Sequence, residues 1–438
     1  MFLSLVAFVF VLGVLVFIHE LGHFLTAKWI GVKVHVFSLG FPPKLIGRRW
    51  GETEYRIGLV PLGGYVKMAG DNPADASGNL EEFFSRTKLE RVAILAMGPV
   101  MNLALAVGIL TVLFMVGIER PAGLEDPPVV RFVPQGSPAA QAGIRAGDRL
   151  VAVDDRPLEN WRQALDLFVI HANQTLRLTL ERDGQSLATD LKVEARGQEE
   201  MGYVGLFPAV QPEVVSLSEG FPAQEAGLQE GDLIIKLDGE PVFSNPQLIE
   251  AIQRKDGRAV TVTILRQGRQ HDYVITPTRD NDSYRLGITL PSPVVIQQIA
   301  NPFEALGAAV AECARFSQLT FVTLGRMIRG LASIRQMSGP ISIARISGET
   351  ARRGPRSLFY FMAVVSLSLG ILNFLPIPIL DGGHIAIIFV EGLARRDFSL
   401  RVKERILQVG LVLILLLMVT VIYIDLSKIE SIGRFLPW

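Results

Sequence analysis

Cysteine is nearly absent: one residue, Cys313, in 438. No disulfide can form within one chain, and either side of a membrane tolerates that. Net charge is absent too, with 43 basic residues against 43 acidic ones. That excludes a basic nucleic-acid binder. Charge is missing altogether from four stretches, 2–18, 92–118, 358–380 and 406–424. The charged residues crowd into the remainder at roughly 24%, close to the soluble-protein level of about 25%. A wholly soluble enzyme and a disordered chain are excluded, because apolar segments are spliced into an ordinary soluble composition.

A bilayer core of about 30 Å takes about 20 apolar residues at 1.5 Å each. The last three stretches meet that length. The first is extended by Phe24, Leu25, Trp29 and Ile30. It has no basic leader and no small-residue cleavage site before His19, so it reads as a retained span. Four spans put both termini on one side. Lys28, Lys33, Arg86, Lys88 and Arg91 flank the first connection, and Arg395, Arg396, Arg401, Lys403 and Arg405 fill the third. Basic residues near span ends mark cytoplasmic loops. Arg352, Arg353 and Arg356 vote the other way, but long loops translocate largely regardless of charge. Region 119–357 is expected outside, with both termini.

That region repeats itself at an offset of 84 residues. GSPAAQAGIRAGDRLVAVDDRP (136–157) matches GFPAQEAGLQEGDLIIKLDGEP (220–241) at nine of 22 positions. Alternating strands follow in each copy, 176–182 and 260–266, and each ends in a turn, Asp183-Gly184 and Gln267-Gly268. The period is too long for a solenoid and suits two tandem small domains. The pattern resembles PDZ domains in the permuted bacterial arrangement, over 125–206 and 210–291. PDZ domains bind peptides by adding a strand to a sheet edge; a pair of structural spacers is the plainer reading.

The strongest chemical signal is His19-Glu20-Leu21-Gly22-His23. Residues i and i+4 share a helix face, so both imidazoles can grip one metal. Glu20 is then placed to take a proton from a water at that metal. A catalytic zinc wants one further protein ligand and an open position. Asp381 supplies a carboxylate at the same membrane depth, at the end of the third span. Pro376 and Pro378 break the helix before it, as irregular backbone lining a cavity does. Gly382 and Gly383 permit close backbone approach. His384 is either a further metal-site group or a polar residue at a helix start. The second is favoured, since a fourth ligand would close the site.

H-E-L-G-H in a first span, N-x-x-P-x-P-x-L-D-G-G in a later one and PDZ domains between them resemble the site-2 protease family of intramembrane zinc metalloproteases. The resemblance covers essentially the whole chain. It implies His19, His23 and Asp381 as zinc ligands, Glu20 as general base and Asn373 as a holder of substrate backbone. It also implies cleavage of single-span membrane proteins, such as anti-sigma factors and remnant signal peptides, after a first protease has trimmed them. The site should lie toward the cytoplasmic side of a cell inner membrane, with the PDZ domains periplasmic.

The resulting expectation is a polytopic α-helical membrane protein of four spans, with a membrane-associated β-hairpin and two tandem β-rich PDZ domains. By residue, the first span with its motif occupies 1–30, a cytoplasmic loop 31–91 and the second span 92–118. The PDZ domains follow, then amphipathic helices on the outer membrane face at 292–357. The third span covers 358–384 and the fourth 406–424. The hairpin is placed at 54–67, turning at Pro61 and Gly63-Gly64, with its edge offered to an unwound substrate at Ile57 and Leu59. Asn102, beside Gly98-Pro99 in the second span, either faces the site or bonds a neighbouring helix, and the second is favoured. Two other functions fit less well. An adaptor needs no base beside its ligands, and a metal transporter needs more intramembrane ligands than one cluster.

Overall fold

The fold was taken from a computed structural model that describes residues 2–72, 77–197, 200–280, 283–290 and 294–428, without the side chains of Pro61 and Leu62. Parts of the expected domains at 198–199, 281–282 and 291–293 lie outside the described residues. The chain divides into two units, one of 1–118, 298–324 and 337–438, the other of 119–297 and 325–336.

The first unit begins with 29 residues free of proline, which form helix α1 (Phe2–Ile30). Gly31, at φ +88°, ends it: its N–H reaches the Lys28 carbonyl, and that of Val32 reaches Ala27. This left-handed stop is the usual use of glycine after a helix. Helix α2 (Lys88–Val116) opens on Thr87, whose hydroxyl accepts from the Glu90 N–H while the Glu90 carboxylate accepts from the Thr87 N–H at 2.8 Å. Helices α3 (Pro302–Ile328), α4 (Pro340–Arg353), α5 (Pro355–Phe374), α6 (Asp381–Leu393) and α7 (Leu400–Ser427) follow. Four of them, α1, α2, α5 and α7, are long and apolar enough to cross a membrane.

Two differences from the sequence reading stand out. The third span helix stops at Phe374 and a non-helical stretch follows through Pro376 and Pro378, the break read from those prolines, but Asp381 then opens a separate helix, α6, that runs past the expected end of the span at 384. Neither proline can donate to a helical ladder. The other difference is in α3. Its Ala305, Ala309 and Cys313 are buried in one cluster with Ala106, Leu110 and Leu113 of α2 and Ala363 and Leu367 of α5. Small side chains let these helices meet closely, so this half of α3 is part of the helical core.

Strands β1 (Val34–Trp50) and β2 (Thr53–Met68) are joined at Gly51-Glu52, and each folds back on the other. Residues 44–50 pair with 53–58. Residues 36–39 pair with 54–57 on one side and with 64–67 on the other. The expected hairpin within 54–67 is therefore not self-paired: its two arms lie on opposite sides of 36–39. The local turn residues mark the bend but cannot say which strand takes the middle place. Buried Val34, Val36 and Phe37 claim it. Ile57 sits between Leu39 and Ile46, while 64–67 forms an outer edge.

At the far end of α7, Asp425 is 1% exposed. It accepts from the backbone N–H groups of Gly339, Ile341 and Ser342 and from the Ser342 hydroxyl at 2.6 Å. A carboxylate there satisfies the free donors at the start of α4 and suits the positive end of its dipole.

The second unit holds the repeat. The first copy has a four-stranded sheet ordered Arg156–Pro157, Arg149–Val153, Thr175–Arg182, Gln185–Lys192, with helix Trp161–Ile170. The second repeats it as Glu240–Pro241, Leu233–Leu237, Val260–Arg266, Arg269–Ile275, with helix Asn245–Arg254. Asp154 and Asp155, and Asp238 and Gly239, all take positive φ in the tight turns of the matched D-[DG] motif. In each copy a buried aspartate takes both arms of an arginine 34 residues on. Asp148 pairs with Arg182 at 2.6 and 2.7 Å, and Asp232 pairs with Arg266 at 2.6 Å on both oxygens.

Candidate metal centre

Helix α1 carries His19, Glu20 and His23, and α6 begins with Asp381. Helical spacing puts the two imidazoles on one face, edge to face with ring centres 4.8 Å apart, and the break after α5 returns the chain to them. His19 Nε2 lies 3.2 Å from His23 Nε2 and 3.2 Å from Asp381 Oδ2, and His23 Nε2 lies 3.5 Å from Asp381 Oδ1. Among the described residues, these three form the group able to hold a metal ion.

The donors fit zinc. Tetrahedral zinc with bonds of about 2.0–2.1 Å puts its ligand atoms roughly 3.3–3.4 Å apart. The nitrogen–nitrogen distance of 3.2 Å and the distances of 3.2 and 3.5 Å from each nitrogen to a carboxylate oxygen lie close to that value. Two imidazoles and one carboxylate are also the donor set of a hydrolytic zinc with one position left open.

Helix α2 sets the imidazoles in place. His23 Nδ1 donates to the Ile94 carbonyl at 2.8 Å, which leaves Nε2 as the lone pair facing the other donors. A Cβ at Gly98 would fall 2.3 Å from His23 Nε2 and 2.9 Å from His19 Cε1, so only glycine fits against the pair. Asn102 is fully buried, and its side-chain amide reaches His19 Nδ1 at 3.3 Å. Its link to α5 runs through the main chain, where its carbonyl accepts from the Ser366 hydroxyl at 2.8 Å. The side chain therefore faces the centre, against the reading favoured from sequence. The signal was a lone amide four residues past Gly98 in an uncharged span, but sequence could not say which face it took.

A cavity of about 880 Å³ opens on this centre, lined by His19, Glu20, His23, Asn373, Asp381 and His384. Asn373 comes from the last turn of α5, and His384 from the first turn of α6. His384 is not one of the converging donors. Gly63, Gly64, Tyr65, Val66 and Met68 of the outer β edge form another part of the wall. Ile57 and Leu59, named from sequence as the edge, are not in it. At Gly64 a Cβ would come 3.0 Å from Glu20 Cγ, which shows how near Glu20 lies to this edge. On the far side of the break, Gly383 could not carry a Cβ, which would fall 2.1 Å from the Ile377 carbonyl oxygen.

A helix-borne pair of histidines, an adjacent glutamate and a carboxylate closing the set define a metalloprotease-type centre. The profile of Peptidase family M50 matches residues 7–417, and the chain belongs to that family, the site-2 proteases. It is a metalloprotease. It is 31% identical to the regulator of sigma-E protease RseP of Escherichia coli K12, over 97% of this chain and 99% of the relative. The Salmonella typhimurium protein of the same name is 32% identical over the same shares. A Neisseria meningitidis relative whose name carries the words zinc metalloprotease is 33% identical, again over 97% and 99%. Among solved structures, the PDZ domain of an SdrC-like protein from Listeria monocytogenes covers 20% of this chain and 93% of its own, at 27% identity and a TM-score of 0.18.

Proposed function

We propose that this chain is an intramembrane zinc endopeptidase that cuts single-span membrane proteins. His19, His23 and Asp381 would hold the zinc. One observation carries the reading: two imidazole nitrogens and a carboxylate converge to within 3.2–3.5 Å of one another in the wall of a cavity built on helices apolar enough to cross a membrane. Zinc, when bound there, supplies a Lewis acid that polarises a carbonyl and acidifies water. Glu20, in the same wall, takes the proton of the attacking water and returns it to the leaving amine.

A substrate helix has its carbonyls paired internally and must unwind before attack. Each backbone group then left unpaired in the bilayer costs several kcal/mol. The 64–67 edge supports strand addition by the unwound segment, because it is the β edge that lines the cavity. The side-chain amide of Asn373, in the wall of the same cavity, adds one further partner.

The distribution of basic residues supports a cytoplasmic site, with the repeated modules outside the inner membrane as PDZ domains. There they restrict entry to substrates already trimmed. The name shared by the Escherichia coli and Salmonella relatives supports a substrate in a sigma-E pathway; anti-sigma factors and remnant signal peptides are the substrate classes that the sequence resemblance implies. Purified protein incubated with a single-span substrate, with and without chelator, tests the reading. Cleavage within the span that chelator stops and zinc restores is expected. Cleavage indifferent to chelator contradicts it.

A further inference from the structure

We infer that Asn102 is the positioning residue for His19: its side-chain oxygen accepts the His19 Nδ1 proton and so turns Nε2 toward the metal. The inference rests on His19 being a ligand.

A neutral imidazole carries one proton. To offer Nε2 as a ligand, His19 must keep that proton on Nδ1, and a buried N–H needs an acceptor. His23 meets the same demand with the Ile94 carbonyl. The side-chain amide of Asn102, 3.3 Å from His19 Nδ1, is the group placed to meet it for His19. With the amide nitrogen toward Nδ1, the ring would have to accept there and carry its proton on Nε2. A proton on Nε2 blocks ligation. The amide oxygen of Asn102, meanwhile, is buried with no hydrogen-bond partner. A half-turn of the amide brings that oxygen onto the Nδ1 proton, and the requirement of the ligand is met. The Ser366 bond uses the Asn102 main chain and leaves the side chain free for this turn. Asn102 stands across the ring from the donor cluster, so it orients a ligand without becoming one.

The test is zinc affinity, measured by competition with a chromophoric chelator on the full chain in detergent, with thermal unfolding alongside. Asn102→Asp keeps an acceptor and loses the donor; Asn102→Leu loses both. Asn102→Asp is expected to bind zinc within about tenfold of the unchanged protein, and Asn102→Leu about 10–100-fold more weakly at similar melting temperature. Unchanged affinity in Asn102→Leu overturns the inference. So does Asn102→Asp weakened beyond tenfold, which decides the matter even where Asn102→Leu fails to fold. His19→Ala separates the two levels: if it binds zinc as the unchanged protein does, the assignment of the centre fails, not the role of Asn102 alone.

Discussion

His23 gives its Nδ1 proton to the carbonyl of Ile94, 71 positions along the chain, at 2.8 Å. That bond ties the first membrane helix to the second and decides which nitrogen faces Asp381. The candidate metal centre is thus shaped by α2 as much as by the helices that carry its donors.

Gly98 is where this dependence is most exposed. A methyl group there would stand 2.3 Å from His23 Nε2. Gly98→Ala is expected to lower zinc affinity by about tenfold or more, because the ring must move off its ligand position. Zinc content after dialysis against a weak chelator measures it. Full retention of zinc would mean that α1 and α2 separate easily at this crossing.

The outer β edge gives a second prediction. Strand N–H groups alternate in direction, so of Tyr65 and Val66 one donates outward. Proline at the outward position removes one hydrogen bond to a substrate strand. Cleavage should fall roughly five- to tenfold, with zinc retained, for a bond worth about 1 kcal/mol. Ile57→Pro instead strikes the middle of the sheet and should reduce folded protein. Rates and yields of Tyr65→Pro, Val66→Pro and Ile57→Pro separate edge from interior.

Substrate unwinding gives a third. Replacing alanine by glycine near the cut site of a substrate span lowers helix stability by about 1 kcal/mol. Cleavage should speed up by roughly fivefold where unwinding limits the rate. Rates on a paired set of substrates measure it, and equal rates would place the slow step elsewhere.

The repeated modules answer to pH. Burial raises the Asp148 carboxyl, but hydrogen bonds from Arg182 and the Arg145 backbone outweigh it, and the net pKa lies below the usual aspartate range. Asp232 behaves alike, with Arg266 and the Gln229 backbone as donors. A carboxyl that titrates lower folded than unfolded stabilises the fold above the unfolded pKa. That contribution is lost as pH falls through the folded value. The modules should therefore melt earlier as pH drops below about 4. Asp148→Ala should cost on the order of 2 kcal/mol at neutral pH, discounted because its arginine is partly exposed, and should flatten the pH dependence. Calorimetry at several pH values checks both.

Much of this was legible in the chain. The i, i+4 histidines and the proline-broken carboxylate segment are local signals, and their types and spacing carry the chemistry. The 84-residue offset showed the repeat, and Asp148 with Asp232 was among its identities. Neighbour relations were not legible. The edge beside the cavity is 64–67 and not Ile57, because non-local pairing with 36–39 chooses the middle strand. Asn102 was set aside because a polar residue in a span more often bonds a neighbouring helix, and its rotation cannot be read from the chain. Helix α6 was absorbed into the third span because 375–380 is as apolar as the helices around it.

The central claim is that Glu20 moves the proton at a metal held by His19, His23 and Asp381. Its most direct test is Glu20→Gln, assayed for bound zinc and for cleavage of a single-span substrate in the same preparation. Roughly one zinc per chain with cleavage abolished is the expected result. Cleavage near the normal rate in the zinc-loaded variant would contradict the account.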